Sequence, residues 1–201
     1  MSGLTNPVYY QLNNPYLLST KLDIEEDVRL RMVQQVIDQL DKAEYHGGYT
    51  FEVMDSKIYR DFSKLYNKFL EISQEIFGSF DLSTKHKHWC WANVYNKDSF
   101  RTNLHTHELT STINGVFYLN IPKDISPDEG GLLIAYEDQD HVFLPDNCEL
   151  VIMPSWMGHG PQPHSSTENR IAINMEICAI DDVKDLYKVD KIYKKCQAQI
   201  Q

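Results

Sequence analysis

Long apolar runs, clustered cysteines and surplus positive charge are all scarce in this sequence, and each scarcity removes a class of protein. No stretch approaches the roughly 18 consecutive apolar residues of a membrane-spanning helix, so none is expected. The four cysteines, Cys90, Cys148, Cys178 and Cys196, lie far apart and form no C-x-x-C pair. That argues against a zinc ribbon or a disulfide framework and for reduced thiols. Basic residues number 19 against 29 acidic ones, a formal charge of −10. Binding to a nucleic-acid strand needs Lys and Arg to displace counterions from phosphates, so such a partner is disfavoured, although a local basic groove is not excluded. The opening residues, MSGLTNPVYYQLNN, have neither a basic flank nor an apolar core. No secretory leader is therefore expected, and a cytoplasmic location is the expectation. There is no internal repeat and no low-complexity segment.

What is present suits a globular domain. Of 201 residues, 42% are hydrophobic and 24% charged, which is the ordinary balance of a chain that buries a core without disulfide staples. The length argues for a single domain, 1–201. Two Asn-Pro pairs, at Asn6 and Asn14, favour extended chain and turns near the start, with an edge strand over 7–10. Ile24, Val28, Met32, Val33, Val36, Ile37 and Leu40 recur at helical spacing behind Glu25, Glu26 and Asp27, whose charges suit the positive end of a helix dipole. His46-Gly47-Gly48 ends that helix. A second helix is predicted from near Asp55 towards Phe77, with Ile58, Phe62, Leu65, Tyr66, Phe69, Ile72 and Phe77 as its stripe and Gly78 as its stop.

From His88 the periodicity changes to strands, predicted over 88–95, 112–121, 132–136, 141–144, 149–153 and 170–177. Gly, Pro and Asn break them at short intervals, as in a β-sandwich or barrel. Helices followed by strands give an α+β class, with 1–80 as helical support, 86–180 as the β core and 181–201 as a helical tail. In that tail Val183, Leu186, Tyr187, Val189, Ile192, Tyr193 and Cys196 could line a helix packed on the sheet or one that binds a partner. The N-terminal helices brace the sheet, and could also build a homodimer interface.

Three of the eight histidines stand apart by context. His105 and His107 flank one residue just before an apolar strand, and residues two apart on extended chain point to the same side. His159 sits between Gly158 and Gly160 after another apolar strand, where glycines let backbone approach a ligand closely. Three imidazoles with open positions suit Fe(II), Zn(II) or Cu(II). Eleven residues on, Arg170 opens a strand. It reads either as a clamp for a carboxylate or as a surface residue paired with Glu168 or Glu176. His86 and His88 lie among lysines and read as a solvated loop. His141 and His164 read as surface residues, the latter close enough in sequence to touch a substrate. Trp89, Trp91 and Trp156 are candidate pocket walls or plain core.

Taken together, residues 103–175 resemble the 2-oxoglutarate/Fe(II)-dependent oxygenases, and within them the prolyl-hydroxylase-like group and the oxygenases common in phages and marine bacteria. The resemblance rests on His105-Thr106-His107, the strand Thr112-Ile113-Asn114-Gly115-Val116-Phe117-Tyr118-Leu119-Asn120, the segment Pro154-Ser155-Trp156-Met157-Gly158-His159, and Arg170, in that order. It implies a double-stranded β-helix, or jelly roll, and an enzyme using Fe(II), 2-oxoglutarate and dioxygen to hydroxylate a substrate with release of succinate and CO2. By position His105 and His159 resemble the two histidine ligands of the iron, and His107 stands where a carboxylate ligand usually lies. Arg170 and Tyr118 resemble the pair that holds the distal carboxylate of 2-oxoglutarate. Asn174 and Asn103 are further cofactor-side candidates, and Asn93, Asn114 and Trp156 candidate substrate-pocket residues. Tyr118 reads equally as a core aromatic with its hydroxyl at a rim. His107 is the departure: either it completes a three-histidine site, or Glu108, Asp138 or Asp140 supplies the carboxylate. Two alternatives remain beside the leading one, a cupin-like three-histidine dioxygenase that does not use 2-oxoglutarate and a non-catalytic jelly-roll binding module. The substrate is not legible.

Overall fold

The computed structural model describes residues 17–42, 44–45, 49–52, 60–77, 90–99, 104–108, 111–126, 128–136 and 139–178. The strand expected over 7–10, His86, His88, Trp89, Asn103, Asp138 and the tail from 181 lie outside the described residues.

The chain alternates early between strand and helix: β1 (Leu18–Lys21), α1 (Glu26–Ile37), a 3-10 turn (Leu40–Lys42), β2 (Glu44–Tyr45), β3 (Tyr49–Glu52) and α2 (Arg60–Phe77). Seven strands follow: β4 (Cys90–Tyr95), β5 (Ile113–Asn120), β6 (Leu132–Tyr136), β7 (Gln139–Phe143), β8 (Glu149–Pro154), β9 (Gly158–Pro161) and β10 (Arg170–Ile177). Among the described residues they form two sheets, a large one ordered β1-β8-β5-β10-β4-β3-β2 and a small one ordered β7-β6-β9. Every pairing is antiparallel. This is the layout of a double-stranded β-helix, with helices on the outer face of the large sheet.

Residues of alternating parity explain why the central strands are apolar almost throughout. On β5, Ile113, Phe117 and Leu119 join one buried cluster with Phe62, Leu65 and Phe69 of α2 and Met32 and Val36 of α1. Val116 and Tyr118 join a second cluster with Leu132, Ile134 and Phe143 of the small sheet. On β10, Ile171, Ile173, Met175 and Ile177 belong to the helix side and Ala172 to the other. A strand covered on both faces needs apolar residues at both parities. The polar residues left on the inner face of β10, namely Arg170, Asn174 and Glu176, therefore require a reason other than exposure to water.

Two contacts seat the helices. A Cβ added at Gly115 on β5 would stand 2.7 Å from Cε2 of Phe69, so the absent side chain lets the ring of α2 lie directly on the strand. Arg29 of α1 is buried. Its Nε and Nη2 donate to both carboxylate oxygens of Glu26, and its Nη1 donates to the carbonyl of Leu119 at 2.9 Å and to Oδ1 of Asn120 at 3.1 Å. The guanidinium fork thus pins α1 to the end of β5.

The two predicted N-terminal helices and the six strands predicted from His88 onward have counterparts, with ends displaced by a few residues; α2 is described from Arg60, and 53–59 lie outside the described residues. Strands β1, β2, β3 and β9 were not expected. β1 and β9 are four residues long and β2 two, and β9 reads Gly-His-Gly-Pro, a composition poor in strand-formers. Its pairing with β6 makes it a strand.

Candidate metal centre

Two segments bring the three imidazoles together. The 104–108 segment lies against β9 through a single antiparallel bridge between His105 and His159. The His105 amide donates to the His159 carbonyl, and the His159 amide to the His105 carbonyl, both at 3.0 Å. Two residues on, the His107 amide donates to the Ser155 carbonyl at 2.8 Å, and the His107 carbonyl accepts from the Ser111 amide at 2.9 Å. The backbone of this loop is therefore fixed on both sides of the histidine pair, and the alternation of extended chain turns both rings the same way.

The three rings are neighbours. Centroids are 4.8 Å apart for His105 and His107, 4.9 Å for His105 and His159, and 5.1 Å for His107 and His159, the last pair stacked at 17°. One ligand nitrogen from each lies within 4.8 Å of the others. His159 is buried and its Nδ1 donates to the Met157 carbonyl at 2.9 Å, which leaves Nε2 as the free donor of an electron pair. Burial pushes the His159 pKa down to about 4, with a smaller opposing effect from the Met157 carbonyl and further lowering by His107 and His105. The ring is thus neutral at pH 7, the state that binds a metal. Nδ1 of His107 is paired with the Glu176 carboxylate, and Trp91 stands over the same imidazole with centroids 6.1 Å apart.

A cavity of ≈ 180 Å³ opens beside the imidazoles, lined among others by His105, His159, Trp91, Asn93, Tyr95, Tyr118, Arg170 and Asn174. Arg170 is 1% exposed, which overturns its reading as a surface residue. It pairs with neither Glu168 nor Glu176; its Nη2 reaches the Gly131 carbonyl at 3.4 Å, while its Nε is buried without a hydrogen-bond partner. The guanidinium lies 5.1 Å from the ring centroid of Tyr118 and 6.0 Å from that of Tyr95. Tyr118 is wholly buried and its hydroxyl also has no partner, so the hydroxyl is not at a rim. Burial raises its pKa, outweighing the opposing charge of Arg170; it remains a neutral donor. Nδ2 of Asn174 is a third buried donor without a partner. Three orphaned donors around one small cavity are costly unless an acceptor enters it.

Other sequence candidates fall elsewhere. Asn114 is buried outside the cavity lining, and its Oδ1 accepts from the Ser111 hydroxyl. Trp156 also lies outside the lining and packs against the inner apolar cluster. Glu108 and Asp140 are exposed, and neither joins the histidine group. His164 is buried rather than on the surface, with Nε2 donating to the Tyr95 carbonyl at 3.3 Å. In the sequence Glu176 reads only as a partner for Arg170. Its even spacing from Arg170 along β10 was the available signal that it shares the inner face.

Residues 89–176 match the family described as "Putative 2OG-Fe(II) oxygenase". No curated protein matches the chain. Among solved structures, the chain is similar to a prolyl-4-hydroxylase from Pseudomonas putida, with TM-score 0.58 and 15% identity over 84% of this chain and 95% of that one. It is similar to a Trichoplax adhaerens prolyl hydroxylase solved with a hypoxia inducible factor peptide, with TM-score 0.62 and 16% identity over 95% and 90%. It is also similar to SnoK, an alpha-ketoglutarate-dependent carbocyclase of nogalamycin biosynthesis, with TM-score 0.63 and 11% identity over 81% and 79%. At such identities the likeness is one of fold, and the fold serves more than one reaction.

Proposed function

We propose that this enzyme is a dioxygenase that hydroxylates its substrate with release of succinate and CO2, using Fe(II) held by His105, His107 and His159. The donor set fits: three neighbouring imidazoles, at least one of them held neutral by burial, are borderline ligands suited to ferrous iron. The cavity fits 2-oxoglutarate. Arg170 and Tyr118 offer a guanidinium and a phenol to a carboxylate, and Asn174 offers an amide donor along the same wall. A cavity of ≈ 180 Å³ is smaller than the roughly 300–1,000 Å³ of pockets for drug-sized ligands, so it suits a small dicarboxylate and leaves the substrate at the mouth beside Trp91 and Asn93.

Iron, when bound, supplies the activation of dioxygen that couples decarboxylation of 2-oxoglutarate to oxidation of the substrate. The chain's own contribution is positional. Arg170 and Tyr118 exchange an unsatisfied buried state for a charge-assisted pairing, which orients the dicarboxylate. The apolar residues Val116, Leu132 and Ala172 in the lining keep water from competing with it.

The buried Arg170–Tyr118 pair, with the Nε of one and the hydroxyl of the other lacking hydrogen-bond partners, is the observation that carries this reading. Three imidazoles alone would equally suit a dioxygenase that needs no 2-oxoglutarate, but such an enzyme has no use for a guanidinium and a phenol kept dry in the lining. The test is anaerobic addition of Fe(II) and 2-oxoglutarate. A visible charge-transfer band is expected in the native protein, with its half-saturation moved at least tenfold higher in 2-oxoglutarate for Arg170→Ala. A native band in that variant would overturn the assignment of Arg170, and absence of any band in the native protein would overturn the reading.

A further inference from the structure

The sequence puts His107 where an oxygenase site ordinarily has a carboxylate, yet a carboxylate is present one bond further out. Glu176 lies on the inner face of β10 and is 4% exposed, and its Oε1 is paired with Nδ1 of His107. Both partners are held from behind. The Glu176 carbonyl accepts from the Tyr66 hydroxyl of α2 at 3.0 Å, and the His107 backbone is tied to Ser155 and Ser111. A buried carboxylate on Nδ1 fixes the tautomer of the ring and leaves Nε2 to face His105 and His159. It also makes that nitrogen a stronger ligand, as carboxylates behind metal-bound histidines do.

We infer that Glu176 is a positioning residue that makes His107 a metal ligand and returns to the centre, through the imidazole, the negative charge that three neutral histidines lack. The inference rests on the proposed metal site. Two unit charges on the ion are met by no anionic ligand from the three imidazoles, and a buried anion behind one of them offsets part of that charge where water does not screen it. No other buried carboxylate is seen among the described residues.

The experiment is an anaerobic titration of the full-length, metal-free protein with Co(II), read by calorimetry and by the visible ligand-field bands of the bound ion. The proteins compared are the native chain, Glu176→Gln, Glu176→Ala, His107→Ala and the double variant Glu176→Ala/His107→Ala. Circular dichroism establishes which are folded. Glu176→Gln preserves shape and an acceptor for Nδ1 but not the charge, and is expected to bind about tenfold more weakly. Glu176→Ala is expected to lose up to about a hundredfold, with shifted bands. In the double variant the loss should equal that of His107→Ala alone, because Glu176 acts only through that ring. Native affinity and native bands in both folded Glu176 variants would overturn the inference, as would an additive loss in the double variant, which would make Glu176 a ligand in its own right. Failure of the native protein to bind Co(II) would instead overturn the metal site on which the inference stands. If Glu176→Ala does not fold, Glu176→Gln carries the same decision.

Discussion

The hydroxyl of Tyr118 fixes the sign of two measurements. It is buried without a partner, so removing it relieves the ligand-free protein of an unsatisfied group while depriving a bound carboxylate of a donor. Tyr118→Phe is expected to weaken 2-oxoglutarate binding by about 10–100-fold, the worth of a hydrogen bond to a charged group. The same variant should leave the ligand-free melting temperature unchanged or slightly raised. Anaerobic titration and a thermal melt of one preparation check both signs. His159 gives a pH dependence. Its folded pKa, about 4, lies below the usual 6.5, so between these values the unfolded chain binds more protons than the native one. The metal-free protein should therefore lose stability as pH falls from about 6.5 to about 4, with no further loss from this group below that. Burial lowers the pKa of His164 in the same direction. Urea unfolding at pH 7, 6 and 5 measures the trend, and His159→Asn should reduce it, leaving the part due to His164.

Among the elements, β5 and α2 meet at the closest tolerance. A methyl group at Gly115 would overlap the ring of Phe69, which is wholly buried. Gly115→Ala is expected to cost about 1–3 kcal/mol, seen as a lower urea midpoint with an unchanged slope. Gly115→Ala combined with Phe69→Leu should recover part of the loss. How far each element could be read in advance follows from where its identity resides. β5, β8 and β10 are covered on both faces and announce themselves as apolar runs. The strand β9 is created by its neighbours: Gly158–Pro161 has little strand preference, and the ladder to β6 together with the bridge to His105 holds it extended. The site divides the same way. His105, His107, His159 and Arg170 stand out in the sequence because few bland environments use such residues in that order. Asn114 lies outside the cavity lining: period two gives the face of a strand but not the distance along it. Glu176 was passed over because its partner is 69 positions away, on a loop whose path no local pattern specifies.

For the whole molecule, the expected behaviour is ordered stabilisation. An ion that binds only the folded chain adds about 2.7 kcal/mol at a hundred times its dissociation constant, or roughly 5–10 °C for a domain of this size. Co(II) should raise the melting temperature by itself. 2-Oxoglutarate should raise it further when Co(II) is present and much less when the ion has been removed with a chelator. A dicarboxylate effect of equal size with and without the ion would show that the cavity binds it independently of the imidazoles.

The mutual backbone bridge between His105 and His159 has a mechanical consequence. Two histidines 54 positions apart in sequence exchange a pair of backbone hydrogen bonds, and the second of them is a rung of the small sheet. An ion held by both rings would therefore tighten a latch between loop and ladder, and its release would slacken both. Deuterium uptake at those two amides should slow together on loading, making the ladder's own breathing a gauge of occupancy.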